Sequence, residues 1–301
     1  MGKGIAGVCG AEPLEPWPGI GLGTGGAPFI RYKPEQRLYP GNLLPGAASI
    51  IVLGIGCGRE LSYEADEHPR GRFSVGAVGL DYHIALRALL DGLEDTLRKG
   101  GYIFECHKSV DTGPLPEKAL AVKAGLGWLG RNGLLINDEL GSFLNIGYMV
   151  TDIELTELES LIPLEIFTEK GRFCGECNRC IKACPGAALI KTDEGTVFDY
   201  RKCVSYLTQK KGELAGDERR SIGLRLYGCD ACQDACDYNR NAYIGKITDI
   251  DYIAPRLDEI LNLTKAEYER RYKATAVYWR GLGVLKRNAA AALENWKSYN
   301  H

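Results

Sequence analysis

Eight of the chain's eleven cysteines fall between Cys174 and Cys236, and their spacing constrains this chain more than any other feature. The first run is Cys174-Gly-Glu-Cys177-Asn-Arg-Cys180-Ile-Lys-Ala-Cys184-Pro185, and the second is Cys229-Asp-Ala-Cys232-Gln-Asp-Ala-Cys236. In a chain with two [4Fe–4S] clusters, a C-x2-C-x2-C-x3-C-P run gives its first three cysteines to one cluster and its fourth to the other. The second run lacks a first cysteine, which would fall at Leu226, and Cys203 is the nearby thiol available to replace it. The ligand count then closes on two sets. Cys174, Cys177, Cys180 and Cys236 form one; Cys184, Cys203, Cys229 and Cys232 form the other. Structural zinc sites use two separated C-x2-4-C knuckles and have no need of a fourth close cysteine followed by proline. Disulfides are disfavoured in a chain with no secretory signal.

The pattern is that of two-cluster bacterial ferredoxins, so the chain is expected to move electrons. At 301 residues, 45% hydrophobic and 25% charged, it is long enough for two domains and ordinary in composition. A formal net charge of −2 gives no global attraction to nucleic acid, though a local basic patch could still supply one. No apolar run approaches the roughly 20 residues needed to cross a bilayer. A cytoplasmic location without membrane association is the expectation.

Residues 1–49 are rich in Gly and Pro. Gly21-Leu-Gly23-Thr-Gly-Gly26 matches G-x-G-x-x-G formally, but prolines on both sides deny it the strand and helix of a dinucleotide site, so it reads as a loop. Ser49–Gly56 is a continuous apolar run, expected to be a strand covered on both faces. Leu86, Leu90, Leu93 and Leu97 recur at helical spacing from Asp81 to Lys99, with Gly100-Gly101 as the stop. A strand is expected at Tyr102–Cys106, a helix at Glu117–Lys123, and a hairpin pairing Leu134–Asn137 with Phe143–Val150. Residues from about Thr151 to Gly171 read as a linker, Tyr200–Thr208 as a helix presenting Cys203, and the chain from Leu257 onward as mostly helical. Among Lys265, Arg270, Arg271, Lys273, Arg280, Lys286 and Arg287, a solvated helical surface competes with a phosphate-binding face. The expected fold class is α+β, with an α/β-like first domain, then a bacterial-ferredoxin-like two-cluster domain and a short helical C-terminal tail. The expected boundaries are 1–165, 166–245 and 246–301.

Several motifs together carry a resemblance. Asp111-Thr-Gly-Pro-Leu-Pro-Glu117-Lys118, continuing through Gly125-Leu-Gly127-Trp128-Leu-Gly130-Arg131-Asn132, is similar to the central motif of epoxyqueuosine reductases. So are Arg37-x-x-Pro40 with Leu43-Leu-Pro45-Gly46, Asp81-Tyr82-His83, Cys203-Val-Ser-Tyr-Leu-Thr208, Tyr227-Gly-Cys229-Asp-Ala-Cys232-Gln and Leu285-Lys-Arg287-Asn288-Ala. The resemblance runs over about residues 30–295, with the motifs in the family's order. It implies an iron–sulfur oxidoreductase with two [4Fe–4S] clusters and a cobalamin in the N-terminal domain, related in design to reductive dehalogenases. The implied reaction is two-electron reduction of the epoxide of epoxyqueuosine in tRNA to an alkene, the last step of queuosine synthesis.

The resemblance implies Asp111 as the acid that protonates the departing oxygen. A carboxyl beside an apolar corrin face would have its pKa raised and hold a proton near neutrality. Without the surrounding motif, Asp111 before Pro114 would read as a turn or cap residue. Arg37, Trp128, Arg131 and Asn132 are the implied corrin contacts. His83 reads as a helix-start histidine, and no protein ligand to cobalt is expected, in keeping with a base-off cofactor. Three departures stand out: the segment before Arg37 is shortened, the C-terminal helical repeats of many members are absent, and Asp237 stands where a Pro is usual. The first two bear on tRNA binding. They keep two other readings open: a reductase of the same build acting on a small molecule, and an electron-transfer protein reducing corrinoids on a partner. An electron donor such as a ferredoxin or flavodoxin is implied. Cys9, Cys57 and Cys106 receive no role.

Overall fold

Ile50, Ile51 and Val52 are completely shielded from solvent, although they point alternately to opposite faces of the strand Ser49–Gly56. Ile50 and Val52 pack with Leu115, Leu120, Tyr148 and Val150, beneath the helix Glu117–Lys123. Ile51 packs on the other face with Leu86, Leu90, Val110 and Met149, beneath the helix Tyr82–Lys99. Each such side chain contributes about 1.5–3 kcal/mol of burial. This is why the run is apolar without alternation.

The computed structural model describes residues 3–15, 32–58, 60–61, 66–161, 174–193, 195–242 and 245–299. The Gly21–Gly26 run, the second half of the expected linker and the expected boundary between 165 and 166 lie outside the described residues. The main sheet has four strands in the order Gly4–Gly10, Ser49–Gly56, Leu144–Thr151, Cys106–Val110. Every pairing in it is antiparallel. Helices cover both faces as in an α/β protein, but the pairing makes this an α+β sheet.

The first long helix starts where Asp81 accepts a hydrogen bond from the His83 backbone N–H (2.9 Å) and stops at Gly100, whose N–H returns to Thr96 and Arg98 carbonyls. The chain then departs from the strand expected at Tyr102–Cys106. Tyr102 donates its N–H back to Leu97 (3.2 Å), Glu105 donates to the Asp152 carboxylate (2.9 Å), and Ile103 is 99% exposed. With these donors spent, ladder pairing begins only at Cys106.

The hairpin expected about Asp138–Gly141 is also replaced. Leu135–Ile136 pairs with Trp128–Leu129, and Asn137 bridges Gly141, its side-chain oxygen accepting the Glu139 and Leu140 N–H groups. Leu144–Thr151 instead lies between Ser49–Gly56 and Cys106–Val110. The strand Gly4–Gly10 was hidden by its glycines. Gly7 must be one of them, since a Cβ there would stand 2.2 Å from the Ala124 carbonyl oxygen.

In the cysteine region, the short helices Arg179–Ala183 and Ala231–Asp234 pack against each other, and the strands Leu189–Thr192 and Gly195–Phe198 form a hairpin. Cys203 caps the helix Val204–Leu207 after a 3-10 turn at Tyr200–Lys202. Leu226, in the position of the missing cysteine, is fully buried at the register shift where Arg225 and Tyr227 pair in parallel with Arg72 and Phe73. The C-terminal helices Leu257–Asn262 and Leu282–Tyr299 share one core with Phe73, Leu226 and Tyr227 through Leu257, Ile260, Leu285 and Ala289. Among the described residues, no helix is long and apolar enough to cross a membrane.

Candidate active site and cluster cradle

The two packed helices bring the cysteines into two groups. The thiol of Cys180 interacts with those of Cys174, Cys177 and Cys236. That of Cys232 interacts with Cys229, Cys203 and Cys184, and more weakly with Cys180, so the groups are neighbours. Burial first, then the facing thiols, push Cys180 up to about 11 and raise Cys232 further. Like charges this close cannot coexist without cations between them. Backbone N–H groups already point at sulfur: Ala188 donates to Cys184 Sγ (3.2 Å) and Arg131 to Cys174 Sγ (3.3 Å). Among the described residues, no three His, Cys, Asp or Glu side chains converge closely enough for a single metal ion. Cys174, Cys177, Cys180 and Cys236 instead border a cavity of about 220 Å³. Thiols gathered in fours, N–H donors and internal space fit the iron–sulfur cluster that such runs ligate.

A second constellation forms where the helix Tyr82–Lys99 begins and the strand Cys106–Val110 ends. His83 Nδ1 lies 2.7 Å from Asp81 Oδ1 and its Nε2 lies 3.5 Å from Asp111 Oδ2. Both ring nitrogens are thereby turned to carboxylates. Asp111 has φ of 58°, a left-handed conformation that Asp tolerates better than most residues, and its N–H donates to the Glu117 carboxyl. Tyr82 stacks on His83 at 4.2 Å and also hydrogen-bonds Asp111.

The electrostatics differ from the sequence expectation. Burial alone would raise Asp111, but its contacts with His83, Tyr82 and Lys118 outweigh it, and the carboxyl lies below its usual range. Its neighbours Glu117 and His83 shift the other way. Burial, then the charge of Asp111, pushes Glu117 up to about 8, against the Asp111 N–H and Lys118. His83 is raised, through its contact with Asp111 first among the raising partners and then Asp81, against desolvation. Burial pulls Lys118 down, and the charges of Glu117, Asp111, Cys232 and Cys203 oppose that shift. Its ammonium donates to the Gly133 carbonyl at 2.8 Å.

Asp111 keeps 54% of its side-chain surface exposed despite the protein packed around it. Lys118 likewise touches solvent. Polar groups that are deep in the fold yet open mark the wall of a concavity. That fits a bulky cofactor seated beside Asp111.

The four implied corrin contacts are divided by the structure. Arg37 is half-buried beside the Asp111 loop, its Nε donating to the Pro114 carbonyl (3.1 Å). Trp128 is buried edge-on against Tyr238 (4.8 Å), and Arg131 and Asn132 line the cavity of the Cys174 group. Tyr82, Glu117 and Lys118 carried no individual role in the sequence reading. Their signal was present only as neighbours of His83 and Asp111, and the fold brings them together.

The chain matches the family model described as Epoxyqueuosine reductase QueG, DUF1730, over residues 37–112, and that of a 4Fe-4S double cluster binding domain over residues 173–239. It is 35% identical over 270 residues to an epoxyqueuosine reductase of Bacillus cereus, covering 87% of this chain and 68% of that protein. It is 33% identical over 291 residues to one from Synechocystis, covering 94% of this chain and 95% of that protein. Among solved structures, the epoxyqueuosine reductase of Streptococcus thermophilus superposes with a TM-score of 0.84 at 32% identity, covering 98% of this chain and 78% of that one. An epoxyqueuosine reductase solved with an epoxyqueuosine-modified tRNA-Tyr stem loop superposes with a TM-score of 0.80 at 29% identity, covering 98% of this chain and 78% of that one.

Proposed function

The chain belongs to the epoxyqueuosine reductase family, and from that premise we propose that it reduces the epoxide of epoxyqueuosine in tRNA to the alkene of queuosine. The balance of that reaction is two electrons and two protons in, one C=C bond formed and one water released. The observation that carries the proposal is a single one. His83 Nε2 stands 3.5 Å from Asp111 Oδ2 and the Glu117 carboxyl accepts the Asp111 N–H, a proton-holding cluster in the same chain that carries the double-cluster segment 173–239. Proton supply and electron supply are thus built into one fold.

Two [4Fe–4S] clusters and a cobalamin are the family's cofactors, in keeping with the double-cluster match over residues 173–239. In the proposal Cys174, Cys177, Cys180 and Cys236 hold the outer cluster, near the exposed Cys177, and Cys184, Cys203, Cys229 and Cys232 hold the inner one. Cobalamin, when bound, supplies the low-potential cobalt chemistry that opens the C–O bond. The chain's residues supply the rest. Asp111 accepts a proton from raised His83 and passes it to the departing oxygen, Asp81 holds the imidazole in line, and neutral Glu117 is a proton reserve. Residues 1–165 form the reductase unit, 166–245 the cluster unit and 246–301 the helical remainder. An electron donor such as a ferredoxin or flavodoxin is the proposed partner.

The test is turnover of an epoxyqueuosine-bearing tRNA stem loop by anaerobically reconstituted protein with cobalamin and a strong reductant. Queuosine formation is the expected result. Reduction of free epoxyqueuosine with no reaction on the stem loop would move the proposal to a small-molecule substrate, and no reduction of either would end it.

A further inference from the structure

The turn Gly130–Gly133 brings one side chain to the outer thiol group in an unusual condition. Asn132 is 8% exposed, and its Oδ1 accepts the Leu134 N–H at 3.2 Å. That bond fixes which end of the amide is oxygen, so the orientation of Nδ2 is not open to a flip. Among the described residues, Nδ2 has no hydrogen-bond partner. A buried N–H2 without an acceptor is costly and calls for one that the polypeptide does not provide. Asn132 lines the cavity of about 220 Å³ bordered by Cys174, Cys177, Cys180 and Cys236.

The rest of the turn is aimed the same way. The Arg131 backbone N–H donates to Cys174 Sγ at 3.3 Å, and the Arg131 guanidinium ties the turn to the ligand loop through the Gly175 carbonyl at 2.6 Å. Two contacts of the preceding residue, Arg131, therefore hold the amide next to sulfur, and the Leu134 N–H fixes it from the following side. We infer that Asn132 is a positioning and tuning residue of the outer cluster, its Nδ2 donating a hydrogen bond to a cluster sulfur. The inference rests on the cluster assignment proposed above.

Reduction places an extra negative charge on the cluster, and a donor to sulfur stabilises the reduced form more than the oxidised one. Asn132 thus raises the potential of the outer cluster and eases entry of electrons from the donor protein. Asn132→Asp keeps the Oδ acceptor that the Leu134 N–H needs and removes the donor; Asn132→Leu removes both. In each, the reduction equilibrium of the outer cluster should fall about tenfold, which is 59 mV for a one-electron couple. The inner cluster should not move.

The experiment is an EPR-monitored redox titration of the cluster-loaded variants, with iron content measured on the same samples. It is paired with pulsed EPR of wild-type protein carrying asparagine labelled with 15N in the side-chain amide. A 15N coupling to the reduced outer cluster, lost in Asn132→Asp, is the expected result. Unshifted potentials at full iron content would overturn the inference, and so would the absence of a 15N coupling in wild type, which remains decisive if the variants lose the cluster. A wild-type protein loading only about four irons would instead remove the cluster assignment beneath it.

Discussion

Asp111→Asn isolates the proton chemistry, because asparagine has the same shape and tolerates the φ of 58° found here. The substitution removes one of the two carboxylates facing His83, the one 3.5 Å from Nε2, and leaves Asp81 at 2.7 Å from Nδ1. Two unit charges about 4 Å apart interact by about 4 kcal/mol at an effective dielectric near 20. Asp111 is 54% exposed, so screening reduces the realised part to about 1 kcal/mol, a little under one pH unit on His83. His83 is raised above 6.5 in the folded chain, so its pairing stabilises fully below that value and the benefit fades as pH rises through the folded pKa. The variant should therefore lose stability at about pH 5 and almost none at about pH 9. An NMR titration of the His83 ring should show its midpoint moved down by about one unit. Queuosine formation should fall by about 10²–10⁴-fold, the range for loss of a general acid–base group, with cobalamin binding intact. An unmoved His83 titration would refute the electrostatic reasoning. Retained turnover would refute the assignment of Asp111 to the proton path.

Three other substitutions test separate parts of the structure. Cys203→Ser should lower bound iron from about eight to about four per chain while leaving one cluster EPR signal; retention of eight would show that Cys203 is no ligand. Glu117→Gln should flatten the pH dependence of thermal stability. Glu117 titrates near 8 when folded against 4.5 as the ordinary value, so the native chain loses stability as pH rises between them. An unchanged slope in calorimetry across that window would remove Glu117 as a proton reserve. Arg287→Ala should cost about 2–3 kcal/mol of stability, because Arg287 donates to the carbonyls of Lys210 and Gly212 at 2.6 Å and of Leu207 at 3.0 Å. A variant with unchanged melting and weaker, less salt-dependent stem-loop binding would instead make it a phosphate contact.

What could be read from the sequence divides along the range of the interactions that decide each element. Ser49–Gly56 and Tyr82–Lys99 are set by local apolar patterns, a cap at Asp81 and a stop at Gly100, and their ends fall where those signals stand. The strand at Cys106–Val110 was displaced in the sequence reading because an acceptor 47 residues away, Asp152, takes the Glu105 N–H. No local rule contains that fact. The cysteine sets follow from spacing alone, since each run is short and its partner group fixed by number. The proton site does not: Asp81, His83, Asp111 and Glu117 come from three elements, and the sign of the Asp111 shift depends on which neighbour wins. Likewise the sequence placed Asn132 among the corrin contacts, and only the long-range contacts of Arg131 with Cys174 and Gly175 reveal that it also lines the cavity beside the Cys174 group.

The thiol groups also link cofactor loading to folding. Burial raises Cys180, Cys203, Cys229, Cys232 and Cys236, and their nearest thiols raise each of them further. Without iron these sulfurs stay protonated. Loading must then expel protons, so cluster affinity rises with pH over the range in which the free thiols titrate. The second of the two helices that gather the thiols starts at Asp230, whose carboxylate accepts from Ser74 Oγ at 2.6 Å and the Val75 N–H at 2.7 Å. Val75 joins another part of the core with Ile253. Asp230, between Cys229 and Cys232, thus ties the cluster segment to Ser74 and Val75 and, through Val75, to the core around Ile253. Free energy from ligand binding to the folded state adds directly to its stability. Removing the clusters should therefore lower the melting temperature of the core that Phe73, Leu226 and Leu285 share, and not of the cysteine segment alone.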